Sequence, residues 1–343
     1  MKKILKVILF LVIGAFIWNC TFSIIWTSPN SIKYFYKEPK NSLDVVYIGS
    51  SNSYAHFNTV LAYNLHGFTT GMLASDGQPF SAIKYLLQEA TKYQNPEVYV
   101  IDINSLATDI RYSNDGDIRK VIDNMKWSKN RNAAIEGMLK YTDIQKEDYI
   151  NYYFSFLTYH NSWKYIGDYS FKNDDLYKGH LLNVDTVKVE PQKEFKWDSE
   201  EKLDLMQENL EIYLELIEYI KNNDLNVIFV VPARSFTEEN MARLNTAIEI
   251  AEKNNIKTIN FNMLKDFSID YSTDLYNSGH LNVCGATKYT IYFSEYLKNN
   301  YDLKDHRQDN NYKSWTSEYE RYKNSYYELT KQNYNDLLEE ING

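Results

Sequence analysis

The chain is expected to fold as an α/β three-layer sandwich around a mostly parallel central sheet, and three features predict this. Short apolar, β-branched runs recur at 43–48, 98–103 and 227–231, the pattern of strands buried on both faces. Stretches with three-and-four apolar spacing lie between them, as amphipathic helices require. Strand and helix also alternate along the chain, which favours parallel connections over hairpins.

Taken in order, residues 28–42 contain Pro29 and Pro39 and read as a linker. The strand at 43–48 is followed by a helix over 53–66. Residues 67–74 are ambiguous, with a short strand one reading, and end in the turn Ser75-Asp76-Gly77-Gln78-Pro79. Ile83, Leu86, Leu87 and Ala90 mark a helix over 80–93 that Pro96 terminates. After the strand at 98–103, residues 106–200 are polar and aromatic with no strand-helix rhythm. A segment that long is not expected to be structureless, so it reads as a helical, aromatic-rich insertion with 149–163 as its core or a lid. Leu203, Met206, Leu210, Tyr213, Leu214, Ile217 and Ile220 line one face of a helix over 202–222. Pro232 stops the strand at 227–231. A helix over 237–254, a strand at 258–261 and a helix over 282–299 complete the domain. The tyrosine-rich tail, 301–343, reads either as a helix packed on the body or as an extended surface segment.

The 44% hydrophobic content of the 343 residues suffices for a sizeable core. Part of it lies at the N-terminus, where three lysines within the first six residues precede an uncharged run over 7–26. About twenty such residues can cross a bilayer, and the lysine flank keeps its own end in the cytoplasm. The expectation is a transmembrane anchor over 1–27 with the domain, 43–300, on the extracytoplasmic side of the plasma membrane. A cleaved signal peptide is the rival reading; it would be shorter and end in a small-x-small site, which is missing before Pro29. Of the two cysteines, Cys20 falls in this run and Cys284 in the domain, so the domain is expected to lack disulfides. A net charge of -9 provides no basic footprint for nucleic acid. Thirty-one tyrosines offer flat faces with a polar tip, of the kind that carbohydrate-binding surfaces use.

Tyr47-Ile48-Gly49-Ser50-Ser51 closes the first strand, and Asp274-Leu275-Tyr276-Asn277-Ser278-Gly279-His280-Leu281-Asn282 lies near the other end of the domain. A serine hydroxyl needs an adjacent base, most often histidine, to act as a nucleophile at neutral pH. Ser51 follows a strand, so its oxygen is expected at the carboxyl edge of the sheet, where open α/β folds keep their ligand crevice. The competing use of such a serine is a helix N-cap. Of the six histidines, only His280 sits in a loop able to reach that edge. His56 is expected to face sideways or outward, and the remaining histidines have no partner at metal-ligand spacing. Asn277 can orient the His280 ring without stabilising an imidazolium by charge, whereas Asp274 serves if the loop folds back. Gly77 and Asn104 belong to the same edge and are candidate oxyanion donors. No cofactor and no metal is implied.

These residues resemble the SGNH/GDSL hydrolase family, and most closely its membrane-anchored bacterial branch of DltD-like proteins, in which Gly-Ser-Ser replaces Gly-Asp-Ser. The resemblance covers about 43–300 and rests on Gly49-Ser50-Ser51, Gly77-Gln78, Pro96-Glu97-Val98-Tyr99-Val100-Ile101 and the Asp274 to Lys288 stretch. It implies a nucleophile at Ser51, a base at His280, the glycine block at Gly77 and the oxyanion asparagine at Asn104. The sequence departs at three points: Asn277 stands where the family has aspartate, Asp102-Ile103-Asn104-Ser105 lacks the glycine and aspartate of the third block, and Ser50 replaces the first block's aspartate. The implied activity is that of a cell-surface serine O-acyl esterase or acyltransferase acting on an envelope glycan: teichoic acid, peptidoglycan or exopolysaccharide. An acylated carrier and a membrane acyltransferase are the partners it suggests. A non-catalytic scaffold or glycan-binding protein with the same fold is the alternative.

Overall fold

The computed structural model describes residues 2–25, 30–109, 113–167, 176–190 and 200–342. Ser28 and Pro29 of the expected linker, the side chain of Cys20, and parts of the expected insertion lie outside the described residues. The chain divides into two compact units, Met1–Pro29 with Ile144–Asp175, and Asn30–Asp143 with Leu176–Gly343.

In the first unit, helix α1 (Lys2–Ile25) exposes Ile4, Leu5, Leu9, Phe10 and Val12. The Trp18 ring meets Phe156 edge-on at 4.9 Å. Within 149–163, Tyr149, Tyr152 and Tyr159 are buried while Phe154, Phe156 and Trp163 are exposed. The expected membrane-crossing helix is not supported, because among the described residues no helix is long and apolar enough to cross a membrane. The side chains at 11, 15, 16 and 19–25 of α1 lie outside the described residues.

The second unit is built on five parallel strands, β1 (Val45–Gly49), β2 (Thr70–Ala74), β3 (Val98–Asp102), β4 (Val227–Val231) and β5 (Lys257–Asn260), in the order β2-β1-β3-β4-β5. Every residue of the first four is buried, which explains why β1, β3 and β4 read as continuous apolar runs rather than alternating ones; β2, with Thr70 and Gly71, falls in the ambiguous stretch. β5 is an edge strand, and its exposed Lys257 blunts that edge.

Helices α2 (Ser31–Phe35), α3 (Ser51–His56), α4 (Thr59–His66), α5 (Ile83–Tyr93), α6 (Asp115–Ile122), α7 (Lys129–Leu139), α8 (Gln207–Asn222), α9 (Glu238–Lys253), α10 (Val283–Asn300), α11 (Lys313–Thr330) and α12 (Tyr334–Asn342) complete this unit. Alternate strand residues feed two cores. Val45, Tyr47, Val100, Ile228 and Val230 join one cluster with Tyr289, Phe293 and Leu297 of α10. Phe229 points the other way, its ring 5.6 Å from Tyr213 of α8.

Three local outcomes differ from the expectations or resolve them. The helix expected over 53–66 breaks at Phe57, and the Asn58 side chain caps α4 by accepting from the Leu61 amide at 3.0 Å, the role that asparagine favours over a helix interior. Part of the expected linker is α2, whose Ser31 hydroxyl donates to the Ala74 carbonyl at 2.6 Å and accepts from the Ala74 amide at 2.9 Å. The tail is helical and packed: Trp315 lies 5.5 Å from the Tyr63 ring, and the Tyr334 hydroxyl meets Thr287 Oγ1 at 2.8 Å.

The order β2-β1-β3 means that the chain leaves β1 in one direction and β3 in the other. A crevice opens at such a reversal, outside the carboxyl ends of the strands. Gly49, the last residue of β1, is required there, because a Cβ would come within 2.6 Å of Asp102 Cβ and collide with Ser53 Oγ.

Candidate active site

Ser50 and Ser51 follow β1 into that crevice. Ser50 occupies the N-cap position of α3 without a side-chain cap bond. The Ser51 hydroxyl is not spent on a cap either, since its Oγ lies 2.7 Å from His280 Nε2.

His280 reaches this position through a tight hairpin. Leu275–Asn277 pairs antiparallel with His280–Leu281, and the register sets Asn277 opposite His280. Asn277 Oδ1 accepts from the Gly279 amide at 2.9 Å and lies 2.8 Å from His280 Nδ1. A backbone amide only donates, so the Asn277 atom facing it is the oxygen, and the proton of a neutral His280 sits on Nδ1. The lone pair on Nε2 is left for the Ser51 hydroxyl proton.

Burial and the nearby Arg234 guanidinium push the His280 pKa down from 6.5 to about 4, although Asp76 opposes them. The imidazole is therefore the neutral, proton-accepting form throughout the physiological range. Tyr276 stacks on its ring at 5.4 Å.

Asp274 is not brought to His280. Its carboxylate is buried against Lys288 Nζ at 2.8 Å and accepts from the Asp270 amide at 2.8 Å. It thus ties the start of the loop to α10, and the hairpin turns only after it. Asn277 alone of the two expected candidates contacts the ring.

Gly77 lines the crevice with Ser51, Gln78, Asn104 and His280, enclosing a volume of about 280 Å³. Its φ of +63° and the Asp117 carboxylate 2.5 Å from where a Cβ would stand explain the glycine. Asn104 also borders the crevice, but its Nδ2 donates to both Asp102 oxygens at 2.8 Å and to Ser50 Oγ at 3.2 Å. An oxyanion would have to take over the Ser50 contact.

Asp102 is fully buried, and burial raises its pKa to about 6 from 3.8 despite the Asn104 backbone and side-chain donors. His56 is buried rather than outward-facing, because four residues along α3 return it beside Asn52, whose Nδ2 lies 3.3 Å from His56 Nε2. Burial first, then His280 and Arg234, holds its pKa well below the usual 6.5. Sequence reasoning missed Asn52, which donates to the Gly279 carbonyl at 2.5 Å and so fastens the His280 hairpin to α3. It also missed Arg234, which lines the crevice. A strand-terminating Pro232 two residues before an arginine was the available signal, since it places Arg234 at the carboxyl edge of β4.

No family model matches the chain, and no curated protein matches it. Among solved structures, it is similar to a protein of Bacteroides fragilis provisionally described as an acylhydrolase, at 11% identity and a TM-score of 0.38, over 78% of this chain and 94% of that one.

Because the folded pKa of Asp102 is raised, its contribution to stability is present below pH 3.8 and is lost as pH rises through about 6. A rise from 3.8 to about 6 corresponds to about 3 kcal/mol. Urea unfolding between pH 4 and pH 7 is expected to show Asp102→Asn gaining stability relative to wild type by roughly that amount. A difference that stays constant with pH would contradict the assignment.

Proposed function

We propose that the protein is a serine O-acyl esterase or acyltransferase of the SGNH type. The observation that carries this reading is the continuous Asn277–His280–Ser51 hydrogen-bond chain, with His280 Nε2 at 2.7 Å from Ser51 Oγ. Ser51 Oγ attacks the carbonyl carbon of an ester while His280 Nε2 takes its proton. The tetrahedral intermediate collapses, the C–O bond to the alcohol breaks, and His280 returns the proton to the departing oxygen. The acyl-Ser51 then reacts with water or a sugar hydroxyl, deprotonated by the same nitrogen. Hydrolysis and transfer differ only in which acceptor the crevice admits.

The substrate proposed is an O-acylated envelope glycan: teichoic acid, peptidoglycan or exopolysaccharide. An acylated carrier or a membrane acyltransferase would be its partner. The extracytoplasmic placement is part of the same proposal; the lysine-flanked apolar run and the exposed apolar side chains of α1 support it. The amide at 277 favours a second reading, a surface scaffold or glycan-binding protein without turnover, because an asparagine cannot stabilise the imidazolium by charge.

A fluorophosphonate probe separates the two. The purified full-length wild type is expected to be labelled and Ser51→Ala is not; an unlabelled wild type favours the scaffold. Replacing Asn277→Asp places a carboxylate against Nδ1, which raises the His280 pKa from about 4. Turnover of a simple ester at pH 7 is expected to be equal or greater, by up to about 10²-fold, and the acidic limb of kcat/KM moves to higher pH. A fall in turnover would mean that the loop is built around the amide.

A further inference from the structure

Among the described residues Arg234 makes no ion pair, although the charge of buried Asp102 acts on it from beyond contact distance. Its backbone is clamped by Asn262, which accepts from the Arg234 amide at 3.0 Å and donates to the Pro232 carbonyl at 2.8 Å. The guanidinium packs over Phe236, with Cζ 5.1 Å from the ring centroid. Of its five N–H donors, one on Nη1 reaches Asn52 Oδ1 at 3.3 Å, while Nε is buried with no partner. Among the described residues, no carboxylate pairs with it.

The nearby carboxylates are otherwise engaged or form no pair with it. Asp102 is held by Asn104 at 2.8 Å and by Ser53 at 3.4 Å. Asp117 is taken by Lys120 at 2.9 Å. Asp109 also lines the crevice but makes no ion pair with Arg234. A guanidinium whose Nε is buried without a partner is costly until an acceptor completes it. Its planar fork matches a carboxylate or phosphate, and it borders the same 280 Å³ crevice as Ser51 and His280.

We propose that Arg234 is a specificity residue that binds an anionic group of the substrate beside the scissile ester. The preferred substrate is thus an ester bearing a carboxylate or phosphate within a few bonds of its carbonyl. This rests on the reading of Ser51 and His280 as the reacting pair.

The test compares three 4-nitrophenyl esters on the full-length protein at pH 7: neutral butyrate, glutarate monoester and 3-phosphonopropionate. Wild type is expected to favour at least one charged ester by about tenfold or more in kcat/KM, and the favoured arm identifies carboxylate or phosphate. Arg234→Gln is expected to bring the charged-to-neutral ratio to about one, chiefly through KM, with Arg234→Lys between. Absence of charged preference in wild type, or equal loss for all three esters in Arg234→Gln, overturns the proposal. Thermal stabilisation by free glutarate or inorganic phosphate provides a readout without turnover. Stabilisation of wild type that Arg234→Gln loses supports the subsite even if no ester is cleaved, an outcome that would sink the hydrolase reading alone. If Arg234→Gln does not fold, Arg234→Lys takes its place, and absence of stabilisation by either anion in wild type overturns the subsite.

Discussion

The site depends on one constraint: the amide oxygen of Asn277 must face His280 Nδ1. Because the same oxygen accepts from the Gly279 amide, the side chain cannot present its NH2 instead without losing a backbone bond. That fixes the tautomer, and the tautomer fixes the direction in which a proton can leave Ser51. Asn52 reinforces it from the other side by holding the Gly279 carbonyl. Two stretches more than two hundred positions apart thereby share one hydrogen bond, with |i−j| of 229.

The sheet order delivers these pieces. Ser51 leaves β1 and Asn104 leaves β3 at the reversal of strand order, and Arg234 leaves β4 beside them. Close packing there leaves no room for a Cβ at Gly49 without displacing Ser53 or Asp102. The price is a buried carboxylate at Asp102 that is hard to ionise, tolerated because the backbone amide and the side-chain Nδ2 of Asn104 both donate to it.

Much of this was legible from the residues alone. Val227–Val231 and the helix after it follow from apolar continuity and periodicity, and the Ser51 and His280 positions follow from a serine after a strand and a histidine in the last loop. Other features depend on tertiary contacts that local pattern does not encode. Asp274, which required the loop to fold back, stayed a candidate beside Asn277 until Lys288, one helical stretch later, claimed the carboxylate. His56 looked like a surface residue because nothing local announces that the His280 hairpin covers it. The tail carried weak spacing, since its buried face is made of Trp315, Tyr319, Tyr322 and Tyr326 rather than aliphatic side chains. Arg234 gave no periodic signal at all; its meaning comes from a buried Nε that no group among the described residues satisfies.

The claim that a neutral His280 holds its proton on Nδ1 and accepts from Ser51 is tested most directly by nitrogen-15 NMR of the labelled imidazole in the full-length protein. The Nδ1–H tautomer is expected at pH 7, with protonation only near pH 4. An Nε2–H tautomer, or an ordinary titration near 6.5, would contradict it.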